Sequence, residues 1–220
     1  MIITIKGKTM KKMVASIVAT GFLATAAMAH YTWIEKGCDG AKLYFGEWHI
    51  DLYEKKGGRL DSYSADTILP EGVANSKKVN SDHIFVELNH GGDIAWVESI
   101  DPRQSRLVER TRWNVNMARA GREDTKALMD LDMVPVSPNS NTFVVYYQGE
   151  PLPYAEFELF GPPKWLKEYE TDENGKVTIE TPWQGQYIVE LKHVIDEGGV
   201  EAGVEYDYKR YVYSLTFNTQ

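Results

Sequence analysis

Among 220 residues the chain has a single cysteine, Cys38. No internal disulfide can form, so a fold of this size must be held by packing. Cys38 itself is left as a buried small hydrophobe, a reactive thiol or a soft metal ligand. Beyond His30 no apolar run is long enough to span a bilayer, which predicts a working part without direct membrane insertion. Signature motifs are missing as well. There is no HExxH, no GxSxG, no phosphate-cradling glycine-rich loop and no dinucleotide fingerprint, so nothing marks a zinc protease, a serine hydrolase or a nucleotide enzyme. A sustained 3.6-residue period is also lacking, which argues against a helical fold.

Positive charge is scarce. The chain carries 24 Lys and Arg against 32 Asp and Glu, a formal net charge of -8. Four of the lysines, Lys6, Lys8, Lys11 and Lys12, lie in the first 29 residues, which contain no acid, so the remaining 191 residues carry -12. Such a balance repels nucleic-acid backbones and anionic lipid, and it does nothing to discourage cations.

The N-terminal stretch has an ordered pattern: the lysines, an apolar run over 13–24, then Thr25-Ala26-Ala27-Met28-Ala29. This is the layout of a cleavable secretory signal, with Ala27 and Ala29 at the small-residue positions. The reading predicts a signal peptide at 1–29, a periplasmic or secreted protein, and His30 as the first residue of the mature chain. An uncleaved anchor helix is the alternative.

The rest reads as mainly β. Short runs rich in Tyr, Val, Phe, Ile and Trp are punctuated by turn residues. Strands are predicted at 31–35, 41–45, 84–89 and 93–97, with Asn89-His90-Gly91-Gly92 closing the last two into a hairpin. A further strand is expected at 107–117 and a short helix within 121–131. Pro135 and Pro138 deny amide donors to a ladder and mark the best domain boundary, giving an N-terminal β domain at 30–137 and a C-terminal one at 138–220. In the latter, strands at 142–147, 155–160, 165–170, 176–180, 186–192 and 209–217, with the turn Asp172-Glu173-Asn174-Gly175, predict a compact antiparallel β-sandwich.

Gly149-x-Pro-Leu-Pro-Tyr-Ala, the 171–176 turn and Pro182-x-x-Gly-x-Tyr187 resemble the prealbumin-like (carboxypeptidase regulatory-like) sandwich. Together with Ala29-His30-Tyr31-Thr32-Trp33, Phe45-Gly46-Glu47 and Tyr206-Asp207-Tyr208-Lys209-Arg210-Tyr211, they make the mature chain look like the DUF4198 family. That resemblance implies two immunoglobulin-like or prealbumin-like β-sandwich domains and a likeness to periplasmic components associated with cobalt and nickel uptake. It also implies a start at Ala-His, a Gly-Glu segment with a nearby histidine at Glu47 and His49, and a membrane transporter component as partner.

The residues themselves offer a donor set. A first-residue histidine can present its free amine and its ring Nδ1 to one ion, and both nitrogens are available near neutral pH. Glu47, His49 and Asp51 follow with period-two spacing. If extended, that segment puts all three on one face as N and O donors, or else it is the wet edge of a strand. His49 ranks as the best partner of His30. His193, near Asp196 and Glu197, either approaches the first domain or caps the sandwich, and Asp207 is either a further donor or an ion-pair partner of Arg210. His83 and His90 need no special role. Two imidazoles with the amine suit Cu(II), and added carboxylates shift the preference toward Ni(II), Co(II) or Zn(II). The expected cofactor is thus a divalent transition metal. A protein- or glycan-binding adhesion module using the six tryptophans is the alternative function, and a copper-dependent oxidase a minor one.

Overall fold

The computed structural model describes residues 30–89, 91–105 and 108–220. The expected signal segment, its cleavage point up to Ala29, and His90 in the expected hairpin turn lie outside the described residues. The architecture is mainly β, with no α-helix among the described residues. No described helix is long and apolar enough to cross a membrane.

In chain order, the first strands are β1 (Tyr31–Gly37), β2 (Gly40–Glu47), β3 (Leu52–Tyr53), β4 (Thr67–Leu69), β5 (Ala74–Val79) and β6 (Ile84–Leu88), with 3-10 turns at Trp48–Ile50 and Arg59–Ser62. Next come β7 (Ile94–Gln104), β8 (Thr111–Ala120), β9 (Leu131–Pro135), β10 (Thr142–Tyr147), β11 (Glu150–Pro151) and β12 (Glu156–Gly161). The last are β13 (Trp165–Glu170), β14 (Lys176–Thr178), β15 (Gly185–Ile195), β16 (Gly199–Glu201), β17 (Val204–Tyr206) and β18 (Tyr208–Thr219).

A seven-stranded central sheet runs β13-β12-β15-β18-β8-β7-β4. On one face it packs against a four-stranded sheet in which β10 pairs with β9, β11 and β14. Alternation along the strands sends Val189, Leu191, Tyr213, Leu215 and Phe217 into this interface, where they meet Met133, Phe143 and Val145. The other face receives a five-stranded sheet, β1-β2-β6-β5 with β3 on β2, edge-on through β1. Ser214 Oγ donates to the Thr32 carbonyl at 2.5 Å. Ile34 joins Trp96 and Ala118 in one cluster, while Tyr31 and Trp33 join Ile188 and Val212 in another. The open edge of β1 is thereby covered, which removes a template for strand addition.

Several expectations are corrected. Residues 84–89 and 93–97 do not form a hairpin, because β6 pairs with β2 and β5 whereas β7 pairs with β8 and β4. Burial explains the separation, since Ile84 and Val86 pack on one side of a shared cluster and Ile94 and Trp96 on the other. No helix forms within 121–131. Backbone groups that a helix would pair internally are taken by buried side chains: Asp93 accepts from the Glu123 and Asp124 amides, Arg119 donates to the Asp124 and Lys126 carbonyls, and Asp132 accepts from the Leu128 amide. The pairing is not wholly antiparallel, for β18 runs parallel to β8. The expected boundary at 137/138 falls between the hydrogen-bonded strands β9 and β10. Residues 138–220 supply strands to both facing sheets, and each sheet continues with strands from before residue 138. Pro135 ends β9, which pairs only with β10 and so tolerates a residue without an amide donor.

Candidate functional site

Beyond the His30 end of β1 the central sheet is left uncovered, and a groove of about 1730 Å³ opens there. Its wall carries His30, Glu47, His49 and Arg59, and its floor includes Glu190 and Arg210.

Gly46 sets the wall. Its φ of +148° and a Cβ position 2.0 Å from the Leu52 carbonyl oxygen leave room only for glycine, letting β3 fold back against the end of β2. Glu47 follows at 1% exposure. The chain then turns through Trp48–Ile50 and reaches Asp51 in the left-handed region at φ 57°. The turn is fixed from outside. Tyr31 Oη accepts from the Trp48 amide at 3.1 Å, Lys164 sits over the Trp48 ring at 3.6 Å, and the His49 ring stacks on Phe160 at 4.5 Å. Burial, reinforced by the charge of Glu190, pushes the Tyr31 phenol well above its ordinary value, which keeps it neutral.

His30 Nδ1 lies 3.2 Å from Glu47 Oε1, and His49 Nε2 lies 3.9 Å from Glu47 Oε2. The other ring nitrogen of His30 is 2.6 Å from Glu54 Oε1, and Arg59 Nη1 is 3.1 Å from that nitrogen and 3.4 Å from the Glu54 oxygen. A buried carboxylate thus stands between two imidazoles. Two atoms of this group, Glu47 Oε1 and His49 Nδ1, are buried without a hydrogen-bond partner, so the His30–Glu47 contact is an ion pair by distance but not a directed hydrogen bond. Donors of this type suit a divalent ion. Among the described residues, however, no group of three or more His, Cys, Asp or Glu side chains is arranged to hold a metal as the side chains stand.

Of the residues singled out in the sequence, the fold gathers His30, Glu47 and His49. It leaves Asp51 out, since the turn at Trp48–Ile50 breaks the period-two face. The Asp51 side chain is 71% exposed and paired with Lys164 at 3.0 Å. His193 reaches the groove margin, but its ring meets Tyr147 edge-on at 4.8 Å. Burial lowers its pKa. Asp207 is remote in its bonding, accepting from the Thr111 amide at 2.6 Å while its carbonyl accepts from Arg110. It forms no ion pair with Arg210. His83 contacts Asp82 at 2.7 Å, and Cys38 is exposed near the β1–β2 turn.

Sequence reasoning missed Glu54, Arg59 and the carboxylate that places their loop. Buried Glu98 accepts from the Ser64 amide and hydroxyl, the Ala65 amide and Trp96 Nε1, all at 2.9–3.0 Å. The same loop supplies Tyr63, whose hydroxyl accepts from Asn116 at 2.7 Å. The sequence offered one clue, alternation of Trp96 and Glu98 on one strand face, but only the fold reveals what that face meets. Comparison with known proteins yields no relative: no family model matches the chain, no curated protein matches it, and no solved structure matches it.

Proposed function

We propose that the chain is an exported protein that binds a divalent transition metal, nickel, cobalt, copper or zinc, for uptake or delivery through a membrane transporter component. The observation that carries this reading is the buried Glu47 carboxylate between the His30 and His49 rings. Glu47 Oε1 and His49 Nδ1, both buried without a hydrogen-bond partner, are electron-pair donors of the kind a cation takes up. The resemblance to the DUF4198 family, with its immunoglobulin-like or prealbumin-like sandwiches, supports the same reading.

Export with cleavage after Ala29 gives His30 a free amine beside the ring nitrogen that faces Glu47. His30, Glu47 and His49 would hold the ion, and a cation there would take over the charge now shared by the two imidazoles. Glu54 and Arg59 orient the outer edge of the His30 ring, a role that commonly tunes ligand affinity. Tyr154 and Leu166 on the groove wall, 64% and 47% exposed, favour a second reading, a protein- or glycan-binding surface without metal.

The test compares protein beginning at His30 with protein bearing one extra N-terminal residue, each titrated with Cu(II), Ni(II), Co(II) and Zn(II). One-to-one binding that weakens at least about tenfold on extension is the expected result. Equal binding by both forms places any metal elsewhere, and no binding by either leaves the second reading.

A further inference from the structure

The groove floor holds a second charged group that the metal reading does not use. Three arginines, Arg103 on β7, Arg112 on β8 and Arg210 on β18, lie on adjacent strands of the central sheet and all line the groove. Their placement follows from register. Arg103 stands directly across from Arg112. Arg210 stands beside Asn114, two residues along β8 and therefore on the same face as Arg112.

The register of β7 on β8 shifts by one residue between Ile100 and Arg103. Without that bulge Arg103 would face away from Ile100 and the groove. With it, Ile100 and Arg103 both line the groove. Bulges that re-aim a side chain are concentrated at working surfaces.

Like charges directly opposed on neighbouring strands destabilise a sheet. Here the relief among the described residues is partial, since Glu190 and Tyr208 favour the charged form of Arg210 without outweighing burial and the neighbouring arginines. Among the described residues none of the three arginines forms an ion pair with a carboxylate, although nine Lys or Arg pairs with carboxylates occur elsewhere. Arg210 Nε donates to Asn114 Oδ1 at 3.1 Å, and Arg112 Nε is buried without a partner. Glu190, whose charge reaches Arg210, is itself paired with Lys192 at 2.8 Å. Burial, then the charges of Arg112 and Arg103, push the Arg210 guanidinium down to about 10.

We propose that Arg103, Arg112 and Arg210 form a subsite for the oxyanion group of a small-molecule ligand, a carboxylate or a phosphate. Guanidinium groups present paired donors that match both groups, and a partly desolvated cluster strengthens the contact. The inference is independent of the metal reading.

The experiment uses the mature chain, stripped of metal on a chelating resin so that no soluble polycarboxylate is introduced. Thermal melting and calorimetric titration are followed with sodium phosphate and, separately, sodium succinate, against sodium chloride at matched ionic strength. A saturable rise in Tm with either anion but not with chloride is expected, and the effective anion identifies which chemistry is bound. Arg112→Gln weakens that binding by about tenfold or more, the value of one lost charge-assisted contact. Lys167→Gln, outside the groove, leaves it unchanged. Should Arg112→Gln not fold, exposed Arg103→Gln carries the same test, with the added expectation of a higher Tm in anion-free buffer. No saturable response to either anion, or undiminished binding in the arginine variants, overturns the proposal.

Discussion

Arginine is used in two opposite ways on the two faces of one sheet. Arg119, on β8, is fully buried, with its guanidinium divided between Asp93 and Asp132 at 2.6 and 2.9 Å and two backbone carbonyls. Tyr213 closes that network by donating to Asp132 at 3.0 Å. Arg112, seven residues earlier on the same strand, faces the groove beside Arg103 and Arg210 with no carboxylate partner. A paired buried charge organises the chain around it, here the irregular 121–131 segment. An unpaired group of like charge leaves its attraction for something outside the chain.

Removing members of each group breaks or sharpens this contrast. The largest effect belongs to Arg119→Met, which strands two buried carboxylates and costs about 3–5 kcal/mol, read by chemical denaturation. Near-wild-type stability there would mean that the network is ornamental. Glu98→Ala comes next. It removes one acceptor from four donors and costs about 2–3 kcal/mol. It also frees the loop carrying Arg59 and Tyr63, so amide exchange over residues 59–65 accelerates while β15 and β18 stay protected. Arg103→Gln reverses the sign, stabilising by about 0.5 kcal/mol in anion-free buffer as a like-charge pair is relieved.

The smallest effect concerns His193. Because burial lowers its folded-state pKa, the folded form binds a proton less readily than the unfolded chain. Stability from this group is therefore full above the ordinary histidine value of about 6.5 and is lost as pH falls through it. His193→Phe, which retains the packing against Tyr147, removes that portion of the decline in Tm between neutral and mildly acidic pH.

Strand content was readable where alternation and turn residues coincide, as at 142–147 and 165–170, which match β10 and β13 to the residue. Polar β5, six exposed residues, carried no hydrophobic pattern to read. Pairing was less legible still. Neighbouring strands β6 and β7 belong to different sheets, and the parallel β8–β18 contact joins segments 96 residues apart in sequence, which no local signal specifies. For the site, local spacing pointed to Glu47 and His49 but also gathered Asp51, which the 3-10 turn over Trp48–Ile50 carries out to Lys164 instead. The arginine group was invisible because its members are brought together by register, one bulge and a long-range pairing.

Glu47 joins the wall histidines, and its substitution tests the central claim most directly. Isothermal titration of Ni(II) and Cu(II) into Glu47→Gln of the protein beginning at His30, a change that preserves shape while removing the charge, is expected to show affinity at least about tenfold below wild type with melting little changed. Undiminished one-to-one binding by that variant would contradict the account.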